Sequence, residues 1–286
     1  MDERRLRYFL AIADEGSVTA AAERLVIAQP SLSQALRAFE RELGVDLFHR
    51  TGRGLTLTAA GTALIGPARE ILRATDAARD AVQAVAEVLS GTLDLAALAT
   101  LAIDPLAELL GRFRRAYAGV TVRVAEPDGV AGLRALVAAG ECELGLVDLE
   151  PPSIGFEVVP IGWQEMLVVM PPGSARPGPS LSAEALTAVP LVVSPPGTST
   201  RNLLDQALSA AGGTPQIAVE TAAREAIVPL VLAGAGAALL PAPLAADAER
   251  RGAIVRRTTP AITRPVGLIH RGRLSPAARA FVGLVS

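Results

Sequence analysis

Apolar positions recur with helical spacing at the start of the chain. Leu6, Phe9, Leu10 and Ala13 fall at i, i+3, i+4 and i+7, which predicts a helix over residues 3–14 with one buried stripe. Asp2 is a candidate cap and Gly16 a stop. Ser17 can cap a second helix over 18–25, whose alanines at 20–22 permit close packing. A break at Val26-Ile27 leads to a third helix over 29–43, stopped by Gly44. Leu32, Leu36, Phe39 and Leu43 make its apolar face and leave Gln29, Ser31, Ser33, Gln34 and Arg37 to point elsewhere. Pro30 sits in the first turn, where its missing N–H costs nothing.

The pattern then changes. Residues 47–50 and 55–57 read as two short strands about Thr51-Gly52-Arg53-Gly54, with Arg50 and Arg53 at the tip. Thr58 is a candidate cap for a helical run to residue 90. Along it Leu64, Ala68, Ile71, Thr75, Ala78, Val82, Val85 and Leu89 are spaced 4, 3, 4, 3, 4, 3, 4, a heptad seam. Pro67 predicts a kink or a restart. A long helix with one narrow apolar stripe needs a partner; the alternative is a helix laid on its own C-terminal domain, and the regular heptad favours a dimer.

From residue 91 short strand patterns alternate with helical ones. Strands are predicted at 92–98, 120–125, 143–148, 165–169, 191–193, 216–220, 237–240 and 265–270. Helices are predicted from Asp104-Pro105 to Gly119, before Gly140, and at 200–211, 227–233 and 275–285. This alternation implies mostly parallel sheets in Rossmann-like α/β lobes, whose ligands bind outside the carboxyl ends of strands.

Composition narrows the chemistry. A chain of 286 residues suggests about two domains at roughly 150 residues each. Half its residues are apolar, which excludes global disorder. All 27 basic residues are arginine, so a lysine Schiff base and a phosphate-loop lysine are excluded. One cysteine, Cys142, cannot form an internal disulfide, and with His49 and His270 it cannot build a zinc cluster. No signal-peptide core and no charge-free run of about 18 apolar residues appears, so a cytoplasmic protein without a membrane span is expected. No G-x-S-x-G elbow or G-x-G-x-x-G loop is present, which counts against an enzyme.

Two short helices joined by a tight break form the helix-turn-helix pattern, whose second helix enters the major groove. Glutamine bonds adenine bidentately, serine bonds several bases, and Arg37 suits guanine or phosphate. A plain three-helix bundle with a solvated polar face fits the helices equally well. Charge does not decide, since residues 1–58 carry eight arginines and eight acids. The cationic hairpin at Arg50 and Arg53 favours the DNA reading, because a basic wing beside a reading helix grips phosphate. An α/β enzyme and a plain ligand-binding module with a structural N-terminal bundle remain the competing function classes.

Residues 6–61, from Leu6 to Gly61, resemble the winged helix-turn-helix signature of the LysR-type bacterial transcriptional regulators, with L-F-x-R at 47–50 and L-T-x-A-G at 57–61 the most specific pieces. Glu143 to Asp148 and Val231 to Pro241 look like the family's most recognisable C-terminal segments. Ala28 stands where many relatives carry a serine cap. The resemblance spans essentially the whole chain. It implies a winged helix-turn-helix at 1–58, a dimerising linker helix at 59–90 and an effector-binding domain at 91–286. That domain would hold two Rossmann-like lobes of the periplasmic-binding-protein type, about 91–160 with 265–286, and about 161–264.

On that basis Gln29, Pro30, Ser31, Ser33, Gln34, Arg37, Arg50 and Arg53 are the DNA-binding residues. Leu64, Ile71, Val82, Val85 and Leu89 carry dimerisation. Thr100, Leu101, Asp148, Ser194, Thr198 and Ser199 face an effector held between the lobes. The implied partners are double-stranded promoter DNA, a small-molecule effector, further copies of the chain as homodimer or homotetramer, and RNA polymerase; no cofactor or metal is implied. Trp163 reads as a lobe-hinge packing residue, Cys142 as packed at a helix–strand junction and His270 as structural on its strand, while Arg201 is open between a cleft and a solvated role.

Overall fold

The computed structural model describes residues 2–51, 54–84, 89–150, 153–174, 178 and 180–285, with 50, 51, 54, 77 and 79–84 described by backbone alone. The N-terminal unit comprises α1 (Glu3–Glu15), α2 (Val18–Leu25), α3 (Gln29–Leu43), β1 (Phe48–Thr51) and β2 (Gly54–Leu57), and leads into α4 (Ala59–Ala84). The caps read from the sequence form. The Arg5 N–H donates to Asp2 Oδ1 at 2.8 Å and the Ala20 N–H to Ser17 Oγ at 3.4 Å. Gly16 and Gly44 close α1 and α3 in the left-handed region. Leu6, Phe9, Leu32, Leu36 and Phe39 share one core with Leu47 and Phe48 of the hairpin. Leu43, expected in that core, is 37% exposed, because it is the last residue of α3 and the chain turns away at Gly44.

The hairpin is fastened from two sides. Glu40 Oε1 on α3 accepts the Leu47 N–H at 2.9 Å, and the Leu55 N–H donates to the Gly16 carbonyl at 3.0 Å. Its strands reach Thr51 and Gly54, so the connection is residues 52–53, which lie outside the described residues. The L-T-x-A-G motif closes the unit. The Thr58 N–H donates to the Leu47 carbonyl at 3.0 Å, and Thr58 Oγ1 caps α4 by accepting the Gly61 N–H at 3.0 Å. A Cβ at Gly61 would overlap the Leu47 carbonyl, so only glycine fits there.

The long helix differs from its expectation. α4 runs through Pro67 as one element, with no restart, and its described part ends at Ala84. Leu64 and the fully buried Ala68 pack into the N-terminal core of their own chain, because this part of α4 lies along α1. Leu89 is outside α4 and packs against the C-terminal core, so the seam is not one continuous helical stripe. Ile71 keeps 38% exposure, while the side chains of Val82 and Val85 lie outside the described residues.

The C-terminal part begins with β3 (Gly91–Ala97), α5 (Ala99–Leu101), a π-turn (Ala102–Leu106), α6 (Ala107–Ala116), β4 (Val120–Ala125), α7 (Gly129–Ala138) and β5 (Leu144–Asp148). The helix expected to open at Pro105 thus starts earlier and is broken by Asp104, whose backbone is extended. A 14-residue strand, β6 (Glu157–Met170), crosses to the second lobe. There follow β7 (Ser180–Ser182), α8 (Ala183–Thr187), β8 (Pro190–Val193), α9 (Ser199–Ala210), β9 (Gln216–Glu220), α10 (Ile227–Leu232), β10 (Ala238–Pro241), α11 (Ala242–Arg250) and β11 (Ile254–Thr259). The strand β12 (Ile262–His270) returns to the first lobe, and α12 (Pro276–Val285) closes the chain.

One sheet runs β4-β3-β5-β12-β6-β11-β7, with β10 also on β6. β6 and β12 pair antiparallel along their whole common length and serve both lobes, with an irregularity between Val266 and Gly267. The expectation of mostly parallel sheets therefore needs correction. β3–β4, β3–β5, β8–β9 and β7–β11 are parallel, but every pairing of β12, and those of β6 with β10 and β11, are antiparallel. The cause is topological: the two crossing strands run in opposite directions and lie at the heart of the sheet. The first lobe packs Leu95, Leu146, Phe113 and Phe281 in one core, and the second has a core on each side of its sheet.

Candidate functional site

Two sites emerge, one on α3 and one where the lobes meet. On α3, Gln29, Pro30, Ser31, Gln34 and Arg37 are exposed and Ser33 is half-buried. Ala28 supplies no side-chain cap, and Pro30 fills the first turn. The charge of this unit, neutral by count, is unevenly spent. Arg5 pairs with Glu42, Arg7 with Glu3 at 2.8 Å, and Arg24 with Asp14 and Glu15 at 3.2 and 3.0 Å. Arg37 has no side-chain hydrogen bond or ion pair among the described residues, so its charge is free toward solvent. Arg50 sits on β1 opposite Leu55 and is described by backbone alone; Arg53 lies outside the described residues.

Between the lobes the structure assembles a polar cluster about one buried cation. Thr100 follows β3, Asp148 ends β5, and Ser199 opens α9. All three gather at Arg264, which rises from β12 and is only 1% exposed. Its Nε donates to Gln164 Oε1 on β6 at 2.8 Å, its Nη2 to Thr100 Oγ1 at 2.7 Å, and its Nη1 to Ser199 Oγ. Gln164 Nε2 donates in turn to Asp104 Oδ2 at 3.0 Å. One guanidinium thereby ties a hydroxyl of each lobe to both crossing strands. Burial pulls the Arg264 guanidinium down to about 10, against the pull of Asp148 and Asp104, which favour its charge. Burial likewise pushes the Asp148 carboxyl up, opposed by the Glu150 N–H, by Arg264 and by the Ser199 hydroxyl.

The other expected cleft residues do not reach this cluster. Leu101 is fully buried in the first lobe's core. The Thr198 hydroxyl donates to the Pro195 carbonyl at 2.9 Å, and Ser194 is buried beside Arg201. Arg201 is not a solvated residue: it bonds Asp205 at 2.9 Å, Glu220 at 3.2 Å and the Ser194 carbonyl, bracing α9 on its sheet. Trp163, expected to pack at the hinge, is 71% exposed, because on β6 it points opposite to the buried Gln164. Cys142 is buried, and burial with Asp94 and Glu141 nearby pushes its thiol up to about 11, far from thiolate chemistry. His270 is buried on β12 with Nε2 3.8 Å from Glu157. The sequence reading missed Arg264, Gln164 and Asp104. The signal for Arg264 was its place beside the apolar run 266–269, where a charged residue needs a buried partner.

The family profile described as "LysR substrate binding domain" matches residues 86–286, and that described as "Bacterial regulatory helix-turn-helix protein, lysR family" matches residues 4–62. The chain belongs to the LysR-type bacterial transcriptional regulators. This LysR-type chain is similar to the transcriptional regulator IlvR of Caulobacter vibrioides, 31% identical over 100% of this chain and 98% of that one. Full-length CbnR, solved in complex with its target DNA, is 28% identical over 100% of this chain and 99% of its own, with a TM-score of 0.68. The fold is shared with a full-length OxyR variant of Pseudomonas aeruginosa at a TM-score of 0.78, 24% identity and coverage of 100% and 94%. The curated relatives are named as transcriptional regulators. Among the described residues no helix is long and apolar enough to cross a membrane.

Proposed function

We propose that this LysR-type regulator reads double-stranded promoter DNA with α3 and the hairpin, and that a small-molecule effector between the lobes changes how it does so. Gln29, Pro30, Ser31, Ser33, Gln34 and Arg37 meet the major groove, and Arg50 and Arg53 meet the adjacent backbone. The observation that carries this reading is Arg37: it is exposed on the same α3 face as Gln34, with no side-chain partner among the described residues to take up its charge. The CbnR–DNA complex, similar over the whole chain, supports it.

Thr100, Asp148 and Ser199, with Arg264, form the effector site. Arg264 holds Thr100 and Ser199 together, so a ligand that competes for those hydroxyls favours a different lobe closure and shifts the DNA-bound geometry. The protein acts by binding rather than catalysis, in the cytoplasm, as a homodimer or homotetramer that alters RNA polymerase action. Ile71, exposed on α4, joins Val82 and Val85 in self-association, within the domain division 1–58, 59–90 and 91–286.

The test is a gel shift at fixed salt on DNA from upstream of the protein's own coding region. Arg50→Ala weakens binding to all sequences, and Gln29→Ala changes the preference among them. Unchanged affinity in both variants overturns the assignment of reading helix and wing.

A further inference from the structure

The chain link through α4 is not the only tie between the two domains. Arg69, on α4 with a side chain only 16% exposed, stands between two acids. Its Nη2 donates to Asp14 Oδ1 at 3.0 Å, at the end of α1, and its Nη1 to Glu141 Oε1 at 2.8 Å, beyond α7. One turn further along α4, Arg73 donates to the Gly140 carbonyl. Gly140 suits this position by its φ of +67°, and a Cβ there would displace the Arg73 guanidinium. Arg73 thus grips a carbonyl just past the end of α7, where the helix dipole favours positive charge, and Arg69 holds the Glu141 carboxylate beside it.

What lies beyond Glu141 gives the grip a consequence. Three residues on, the chain enters β5, every residue of which is buried. β5 is paired with β3 on one side and β12 on the other, and it ends at Asp148 in the inter-lobe cluster. A paired, fully buried strand shifts as a unit rather than bending. One end of β5 is therefore at the cleft and the other is next to the residues held by α4.

We propose that Arg69 is a positioning residue that couples the inter-lobe cleft to the setting of the DNA-binding unit, by holding Asp14 and Glu141 on one guanidinium. Displacement of β5 at Asp148 moves Glu141 and changes whether Arg69 satisfies both carboxylates. Coupling of this kind is reciprocal, so operator DNA alone must be felt at Gly140 and Glu141 without any effector. The inference rests on the DNA-binding reading above and adds to it the route of communication.

Hydrogen exchange on the full-length protein, free and with saturating upstream DNA, tests it. In the unmodified protein DNA changes exchange at amides 139–143 by about two- to fivefold, the scale of a partly exposed ion-pair network. In Arg69→Gln the DNA-dependent change disappears while the gel shift on the same DNA remains. Arg69→Lys, a point charge that cannot fork to two partners, keeps only part of it. Glu141→Gln, at a half-exposed carboxylate off α4, gives the same loss and covers the case in which Arg69→Gln does not fold. No DNA-dependent change at 139–143 in the unmodified protein overturns the inference, as does a full change in Arg69→Gln that still folds. Absence of any gel shift on that DNA overturns the DNA reading itself, and this inference with it.

Discussion

Thr100 and Arg264 are 164 residues apart in the chain and meet at 2.7 Å. That bond crosses from the end of β3 in one lobe to a strand that serves both, and the same guanidinium reaches Ser199 in the other lobe. A buried arginine satisfied by neutral groups from two bodies is sensitive to how those bodies are set. Separating them strips donors that have nowhere else to go.

The reading helix is open to a split test. Arg37→Ala is expected to weaken binding across all sequences and to reduce the slope of log affinity against log salt by about one. Gln29→Ala is expected to cost about 1–3 kcal/mol at one base position and little elsewhere. Fluorescence anisotropy on a panel of single-base operator variants over a salt series separates the two. A uniform loss in both variants would remove the base-reading role from Gln29.

Ile71 is large, apolar and 38% exposed on α4. Placing a charge there by Ile71→Glu is expected to weaken self-association by about tenfold or more, equivalent to about 1.4 kcal/mol. Sedimentation over a dilution series reads it, with the melting profile as the check on folding. An unchanged association constant would move the contact off this part of α4.

Asp148 makes stability depend on pH in a stated direction. Burial holds its carboxyl above the ordinary 3.8, so in that window the folded chain keeps a proton that the unfolded chain gives up. Stability is lost as pH rises from the ordinary value through the raised one. Asp148→Asn removes this loss, so the variant's melting temperature is expected to gain on the parent's across the window and to run parallel above it. Parallel curves throughout would show that the carboxyl is not held up.

The turn between α2 and α3 carries a local strain. Val26 has φ 55°, a region its β-branched side chain disfavours, and at 89% exposure it has little packing to lose. Val26→Asn, which tolerates the left-handed region, is expected to stabilise the N-terminal unit by about 1 kcal/mol. Amide exchange within α1–α3 measures it, and slower protection loss in the parent than in the variant would refute it.

Much of the N-terminal unit was legible because its signals are local. Caps at Asp2, Ser17 and Thr58, stops at Gly16 and Gly44, and the 3–4 spacing of Leu32, Leu36 and Phe39 each act within a turn or two of helix. The first half of β6 was not legible. Pro160 and Gly162 interrupt its pattern, and its residues take their state from β12, about a hundred positions away. The heptad seam misled for a related reason. Spacing announces an apolar stripe but not what covers it, and Leu64 and Leu89 found partners in two different cores of their own chain.

By itself the sequence determined the helix boundaries of the N-terminal unit, its hairpin, most of the α/β alternation and the family, because each rests on neighbours in the chain. Only the tertiary structure decided that Arg264, Gln164 and Asp104 join Thr100 and Ser199, and that Arg69 spans Asp14 and Glu141. Such partners are chosen by the antiparallel crossing of β6 and β12 and by the lie of α4. Burial then makes each unmatched polar group costly enough to fix the choice.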